Sequence, residues 1–163
     1  MDANWVKDEV GHPAMFMNVK ASCRDHAKFG YLFMKKGCWN GEQVLSREWV
    51  EEATRPSTAL NQGYGYWWWV NGESPVLDSV TFETHEKEML HPFAPEDAFC
   101  AVGLGSQMVE VIPSEDLVIV RIGPAPHENL NAWFDLQVMD LLENDGKQIV
   151  HNGVLERVLD ALE

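Results

Sequence analysis

The chain has 163 residues, enough for one domain with its own core, and its 45% apolar and 23% charged residues argue against a disordered polypeptide. Twenty-six acids against 12 bases give a net charge of −14, which repels phosphate backbones, so no nucleic-acid partner is expected. No run of about 18 apolar residues exists, so no membrane span is expected.

The chain opens "MDANWVKDEVGHP", which lacks the apolar h-region of a signal peptide. Ser22 is set to cap a helix, with Asp25 three residues on as a weak form of the capping box. Cys23, Ala27, Gly30, Tyr31 and Met34 then recur as one apolar face, Lys35 and Lys36 suit the negative helix end, and Gly37 can stop it. Trp39-Asn40-Gly41 reads as a turn. Ser46 caps a second, short helix, "REWVEEAT", which must end before Pro56.

The period then changes. "GYGYWWWV", from Gly63 to Val70, reads as a strand over Tyr64 to Val70. Tyr64, Tyr66, Trp68 and Val70 would share one face, and Gly65, Trp67 and Trp69 the other. Rings on both faces suggest a strand covered on both sides, and packing is a better reading of them than a stacking platform. A strand is expected near Val76 to Phe82, and "ETHEKEMLHPFAP" reads as loop. Ala98–Val102 forms another strand, broken by "GLG". Gln107–Ile112 and Leu117–Ile122 form a hairpin joined by Pro113-Ser114-Glu115-Asp116. "LVIVRI" is a nearly continuous apolar run, as in an inner strand.

A helix is expected from about Asn129 to Glu143, with Leu130, Trp133, Phe134, Val138, Leu141 and Leu142 on one stripe. Asn144-Asp145-Gly146 breaks it. Val154, Leu155, Val158, Leu159 and Leu162 form the apolar side of a last helix. Segregated strands and helices mean an α+β fold, an antiparallel sheet flanked by helices, in a single domain over residues 1–163.

Chemistry-bearing residues are sparse. Cys23, Cys38 and Cys100 are odd in number and contain no C-x-x-C pair, which favours reduced thiols over a disulfide scaffold. Cys100, on a strand, reads as a small buried hydrophobe. His85 and His91 lie among Glu83, Glu86 and Glu88, but the spacing matches no zinc pattern, and neither a metal nor another cofactor is expected. Ser106 in "GLGSQ" is followed by Gln107, without the second glycine of a nucleophile elbow. Glu51, Glu52, Glu115 and Asp116 read as a solvated helix face and a turn.

Several segments together resemble the serine β-lactamase-like family of class C β-lactamases, penicillin-binding proteins, esterases and amide hydrolases. "ASCRDHAKFGYLFMKKGCWNGEQVLSREWVEEATRP" resembles the segment that follows that family's active-site helices. "GYGYWWW" resembles its G-Y-G-Y-x-W-W strand, and "AFCAVGLGSQMVEVIPSEDLVIVRIG" its A-x-G-x-G-x-Q strand and the P-x-x-D-L-V-V-V-R that follows. The matches run in the family's order over roughly residues 3 to 123 and imply a partial β-lactamase/transpeptidase-like fold.

The resemblance also implies what to look for and fails to supply it. Family catalysis uses S-x-x-K, whose lysine helps to deprotonate the serine, and Y-x-N or an equivalent. No serine here has a lysine three residues on: Ser22 is followed by Asp25, Ser46 by Trp49, Ser57 by Leu60 and Ser106 by Val109. Tyr31, Tyr64 and Tyr66 have no asparagine two residues later. In the family both motifs lie upstream of where this chain begins, so no catalytic residue is assigned. Aligned by the glutamine, Leu104-Gly105-Ser106 takes the place of the family's K-T-G or H-G-G, and Leu104 can neither donate to a carboxylate nor relay a proton. The backbone N–H of Gln107 matches one oxyanion-hole donor. Gly103, Leu104, Gly105, Ser106 and Gln107 are therefore the candidate substrate-binding residues. Without the S-x-x-K helix, sheet and helix faces lie uncovered, which implies as partner either the missing N-terminal half or a second copy in a homodimer.

Overall fold

In a computed structural model of the chain, the described residues are 4–13, 19–71, 75–77, 84–85, 94–103, 107–122 and 157–162. Two short strands, β1 (Asn4–Trp5) and β2 (Val19–Lys20), pair antiparallel near the N-terminus. Helix α1 runs over Cys23–Met34. Ser22 caps it as expected: its hydroxyl oxygen accepts from the Asp25 N–H at 3.1 Å and its hydroxyl donates to Asp25 Oδ2 at 2.9 Å. At the other end the Gly37 N–H donates to Leu32 O at 2.8 Å and the Lys36 N–H to Phe33 O at 2.9 Å, the paired bonds of a Schellman ending. Lys36 itself takes the left-handed conformation (φ 51°) that glycine usually fills, and Gly37 follows at φ 81°. A side chain at Gly37 would run into Leu45 O.

The buried face of α1 differs from the expected stripe. Gly30 and Met34 are buried as predicted, but Phe33 replaces Tyr31, and Cys23 and Tyr31 are exposed. The shift follows from what the helix meets: Phe33 packs on the Trp68 ring at 4.8 Å, on the sheet side. Tyr31 instead sets its ring edge-on to Trp39 at 5.8 Å.

Strands β3 (Cys38–Trp39) and β4 (Glu42–Gln43) form a two-residue hairpin, with Asn40 (φ 51°) and Gly41 (φ 85°) both left-handed. That is the Asn-Gly turn whose twist matches its strands. Helix α2 (Arg47–Ala53) starts on Ser46, whose hydroxyl oxygen accepts from the Trp49 N–H at 3.1 Å, and it ends before Pro56 as expected.

The segment after α2 corrects the single-strand reading. Only β5 (Trp69–Val70) is strand. Tyr64 bridges back to Trp69, and the Gly65 N–H donates to Trp68 O at 2.8 Å, so the chain reverses over residues 65–68. Two features cause the reversal. Gly65 is tucked against the end of α2, where a Cβ would sit 2.7 Å from Arg55 O and closer still to Ala53 O. Trp67 adopts φ 69°. Ring positions consequently do not alternate: Tyr66 is 40% exposed although Trp68, expected on the same face, is 2% exposed.

Strands β6 (Val76–Leu77) and β7 (Thr84–His85) pair antiparallel, so Thr84–His85 is strand where loop was expected. The main sheet is completed by β8 (Phe99–Gly103), β9 (Gln107–Ile112) and β10 (Leu117–Arg121), in the order β10-β9-β8-β5 and antiparallel throughout. The four-residue connection is a 3-10 turn over Pro113–Glu115 that closes on a left-handed Asp116. The hairpin is as expected, and among the described residues β10 is the outermost strand. All five of its residues are half-buried.

Phe33, Met34, Val50, Ala53, Trp68, Val70, Phe99, Val109 and Val111 form the core between the helices and one sheet face, with Val118 and Val120 against it. Each buried valine, phenylalanine or methionine among them contributes about 1.5–3 kcal/mol. Gly30 permits the contact, since a Cβ there would meet Val118 Cγ1 at 2.8 Å. On the other face Ala94, Ala98 and Ile112 cluster with Leu117, Ile119 and Leu159. Residues 157–160 are helical, as expected for the last helix, with Val158 and Leu159 half-buried, while Leu162 is exposed in the turn after it. The helix expected over 129–143 lies outside the described residues. Mixed helix and antiparallel sheet agree with the α+β expectation and with a partial β-lactamase-like fold.

Candidate functional site

The candidate rim is the end of the β8–β9 pair at Gly103 and Gln107, which residues 104–106 connect. Gly103 and Gln107 stand directly opposite one another and end the register of the two strands. Gly103 is exposed and Gln107 half-buried. A Cβ at Gly103 would meet Gln107 Cβ at an ordinary 3.6 Å, so packing within the hairpin does not demand glycine. Leu104, Gly105 and Ser106 lie outside the described residues.

The register places a second group of residues at this end of the sheet. Trp69 is opposite Cys100 on antiparallel strands, so β5 begins at the end of the sheet toward which β8 runs. The 65–68 reversal, with its exposed Trp67 ring, therefore lies on the rim side. Next to it Tyr66 stacks on Trp49 of α2, with ring centroids 5.7 Å apart and planes 15° apart. Sequence reasoning missed this arrangement. The available signal was the third consecutive tryptophan, one more than a strand with two covered faces accommodates easily.

Away from the rim, Cys100 and Glu110 face each other across β8 and β9, both fully buried. Burial, and then the neighbouring Glu110 charge, pushes the Cys100 thiol well above its ordinary range, which suits a packed side chain and not a nucleophile. No two cysteines are joined in a disulfide. Among the described residues no three His, Cys, Asp or Glu side chains gather as metal ligands. Glu83, Glu86, Glu88 and His91 lie outside those residues. Among the described residues no helix is long and apolar enough to cross a membrane.

No family model matches the chain. It is similar to an uncharacterized protein of Alkalihalophilus pseudofirmus, with 29% identity over 111 residues that make up 64% of this chain and 30% of that protein. Among solved structures it is similar to a Bacillus anthracis protein provisionally described as a 6-aminohexanoate-dimer hydrolase. That match has a TM-score of 0.55 and 22% identity, and covers 85% of this chain and 33% of the other. The chain thus spans about a third of the length of the proteins it matches. At this identity the likeness is one of fold.

Proposed function

We propose that this chain corresponds to the C-terminal part of a serine β-lactamase-like hydrolase acting on an ester or amide. It supplies sheet strands and one wall of the cleft, with Gly103, Leu104, Gly105, Ser106 and Gln107 as the substrate-facing rim. The Gln107 backbone N–H is one donor to the developing oxyanion. The nucleophile and its base come from polypeptide outside these residues, and the chain alone does not hydrolyse. The observation that carries this reading is the fold likeness to a hydrolase of which the match covers 33%. It is joined by the ordered motifs and by the absence of any serine with a lysine three residues on.

The test is turnover of a chromogenic ester by the purified 163-residue chain. No serine-dependent turnover is expected. Hydrolysis abolished by a serine-directed inhibitor would overturn the reading. A second reading, a non-catalytic module that associates with itself, is favoured by Leu104 in place of a third-motif cation and by the outermost position of β10 among the described residues.

A further inference from the structure

The sequence holds three Asn-Gly pairs: Asn40-Gly41, Asn71-Gly72 and Asn152-Gly153. One reaction is latent in each of them. A deprotonated glycine amide can attack the side-chain carbonyl of the asparagine before it, and glycine hinders this least because it has no Cβ. The structure separates the first two pairs, and Asn152 lies outside the described residues. We propose that Asn40 is a site of spontaneous covalent modification, passing through a cyclic imide to aspartate and isoaspartate, while the fold protects Asn71.

The reaction balances with water and hydroxide as its only co-reactants. The Gly41 nitrogen gives up its proton and bonds to Asn40 Cγ. The Cγ–Nδ2 bond breaks, and ammonia leaves with the proton that Gly41 gave up. Water then opens the cyclic imide at either carbonyl. One opening yields aspartate, and the other yields isoaspartate, in which the main chain runs through Cβ.

Three observations select Asn40. Access is the first: Asn40 and Gly41 are both exposed, and a Cβ at Gly41 would meet nothing within 4 Å. The second is that both reacting groups are unoccupied. Among the described residues the Asn40 side chain makes no hydrogen bond and the Gly41 N–H donates to none. The third is a lightly closed turn. Attack requires Asn40 to rotate out of its left-handed conformation (φ 51°), and only Trp39–Glu42 and Cys38–Gln43 pair across the hairpin. Opening so short a hairpin at its tip costs little. Asn71 differs in each respect. It is 3% exposed, its Nδ2 donates to Ala94 O and Pro95 O, and its N–H donates to Ala98 O. Its side-chain carbonyl cannot swing toward the Gly72 nitrogen without breaking those bonds.

The change at Asn40 reaches the end of α1. Gln43 Nε2 donates to Lys36 O at 2.7 Å, and the Val44 and Leu45 N–H groups donate to Gly37 O at 2.9 and 3.1 Å. Isoaspartate lengthens the turn by one main-chain atom, so the hairpin register and these bonds cannot all be kept.

The experiment is peptide mapping by mass spectrometry of the chain at mildly alkaline pH, folded and in denaturing urea, with isoaspartate identified by enzymatic methylation. In the folded chain Asn40 should convert, faster as pH rises, and Asn71 should remain an amide. In urea both should convert. Asn40→Gly should abolish the signal and keep the turn, since glycine takes positive φ freely. Amide exchange at Val44 and Leu45 should quicken in the converted chain and not in Asn40→Gly. Conversion of Asn71 as fast as Asn40 in the folded chain overturns the proposal. So does an Asn40 that survives in the folded chain and converts only in urea. Neither ester turnover nor association enters these measurements, so the result is independent of both functional readings.

Discussion

Ser22 and Asp25 hold one another at the start of α1, each side chain bonding to the other residue across the first turn. Asp25 also accepts from Lys28 Nζ at 2.8 Å. The Lys28 ammonium, and then the Ser22 hydroxyl, hold the Asp25 carboxyl down at about 2, from an ordinary 3.8. A depressed folded-state value means that the ionised carboxylate contributes stability above the unfolded value, and that this is lost as pH falls from about 3.8 through about 2. Denaturation midpoints of the wild type and Asp25→Asn should therefore differ at neutral pH and converge across that window. A constant gap at all pH values would contradict the assignment.

The 65–68 reversal predicts opposite outcomes at adjacent positions. Trp68 is buried against Phe33, Phe99 and Phe29, so Trp68→Ala should cost about 3–5 kcal/mol. Trp67 is exposed at φ 69°, where a left-handed backbone costs an L-residue about 1–2 kcal/mol. Trp67→Gly relieves that cost and should be neutral or stabilising. Urea titration of both variants checks the contrast.

Gly65 is required by proximity and not by a left-handed backbone. Its missing side chain lets residue 65 approach the carbonyls of Ala53 and Arg55, where a Cβ cannot fit without moving main chain. Gly65→Ala should destabilise by about 1–3 kcal/mol, an overpacking cost. Exchange of the Tyr66 amide, which donates to Ala53 O at 2.9 Å, should accelerate in parallel.

The three thiols should react in the order of their exposure. Cys23 is exposed, Cys38 half-buried and Cys100 fully buried with a raised thiol value. Alkylation followed by mass spectrometry should label Cys23 first and Cys100 only as the sheet opens. Early labelling of Cys100 would contradict the packing of β8.

Local signals in the sequence were reliable where one short-range rule acted alone. Ser22 and Ser46 cap helices because each places a hydroxyl beside an otherwise unbonded N–H, and Asn40-Gly41 turns because both residues tolerate positive φ. The β9–β10 hairpin was legible from two strand-forming runs joined by Pro113-Ser114-Glu115-Asp116. What was illegible depended on contacts between distant residues. Nothing near Gly65 announces that the end of α2 will press on it, so "GYGYWWWV" reads as extended chain. Phe33 outranks Tyr31 on α1 only because Trp68, 35 positions later, provides its pocket. The exposure of Trp67 became visible only once the reversal was known.

The amide of Asn71 has a wider consequence. Its side-chain nitrogen donates to Ala94 O at 3.2 Å and to Pro95 O at 3.1 Å, while its main-chain N–H donates to Ala98 O at 3.1 Å. One buried residue thus fastens together the two places where residues 72–93 leave and rejoin the sheet. A substitution that removes the Asn71 amide therefore unties both ends of that connection at once.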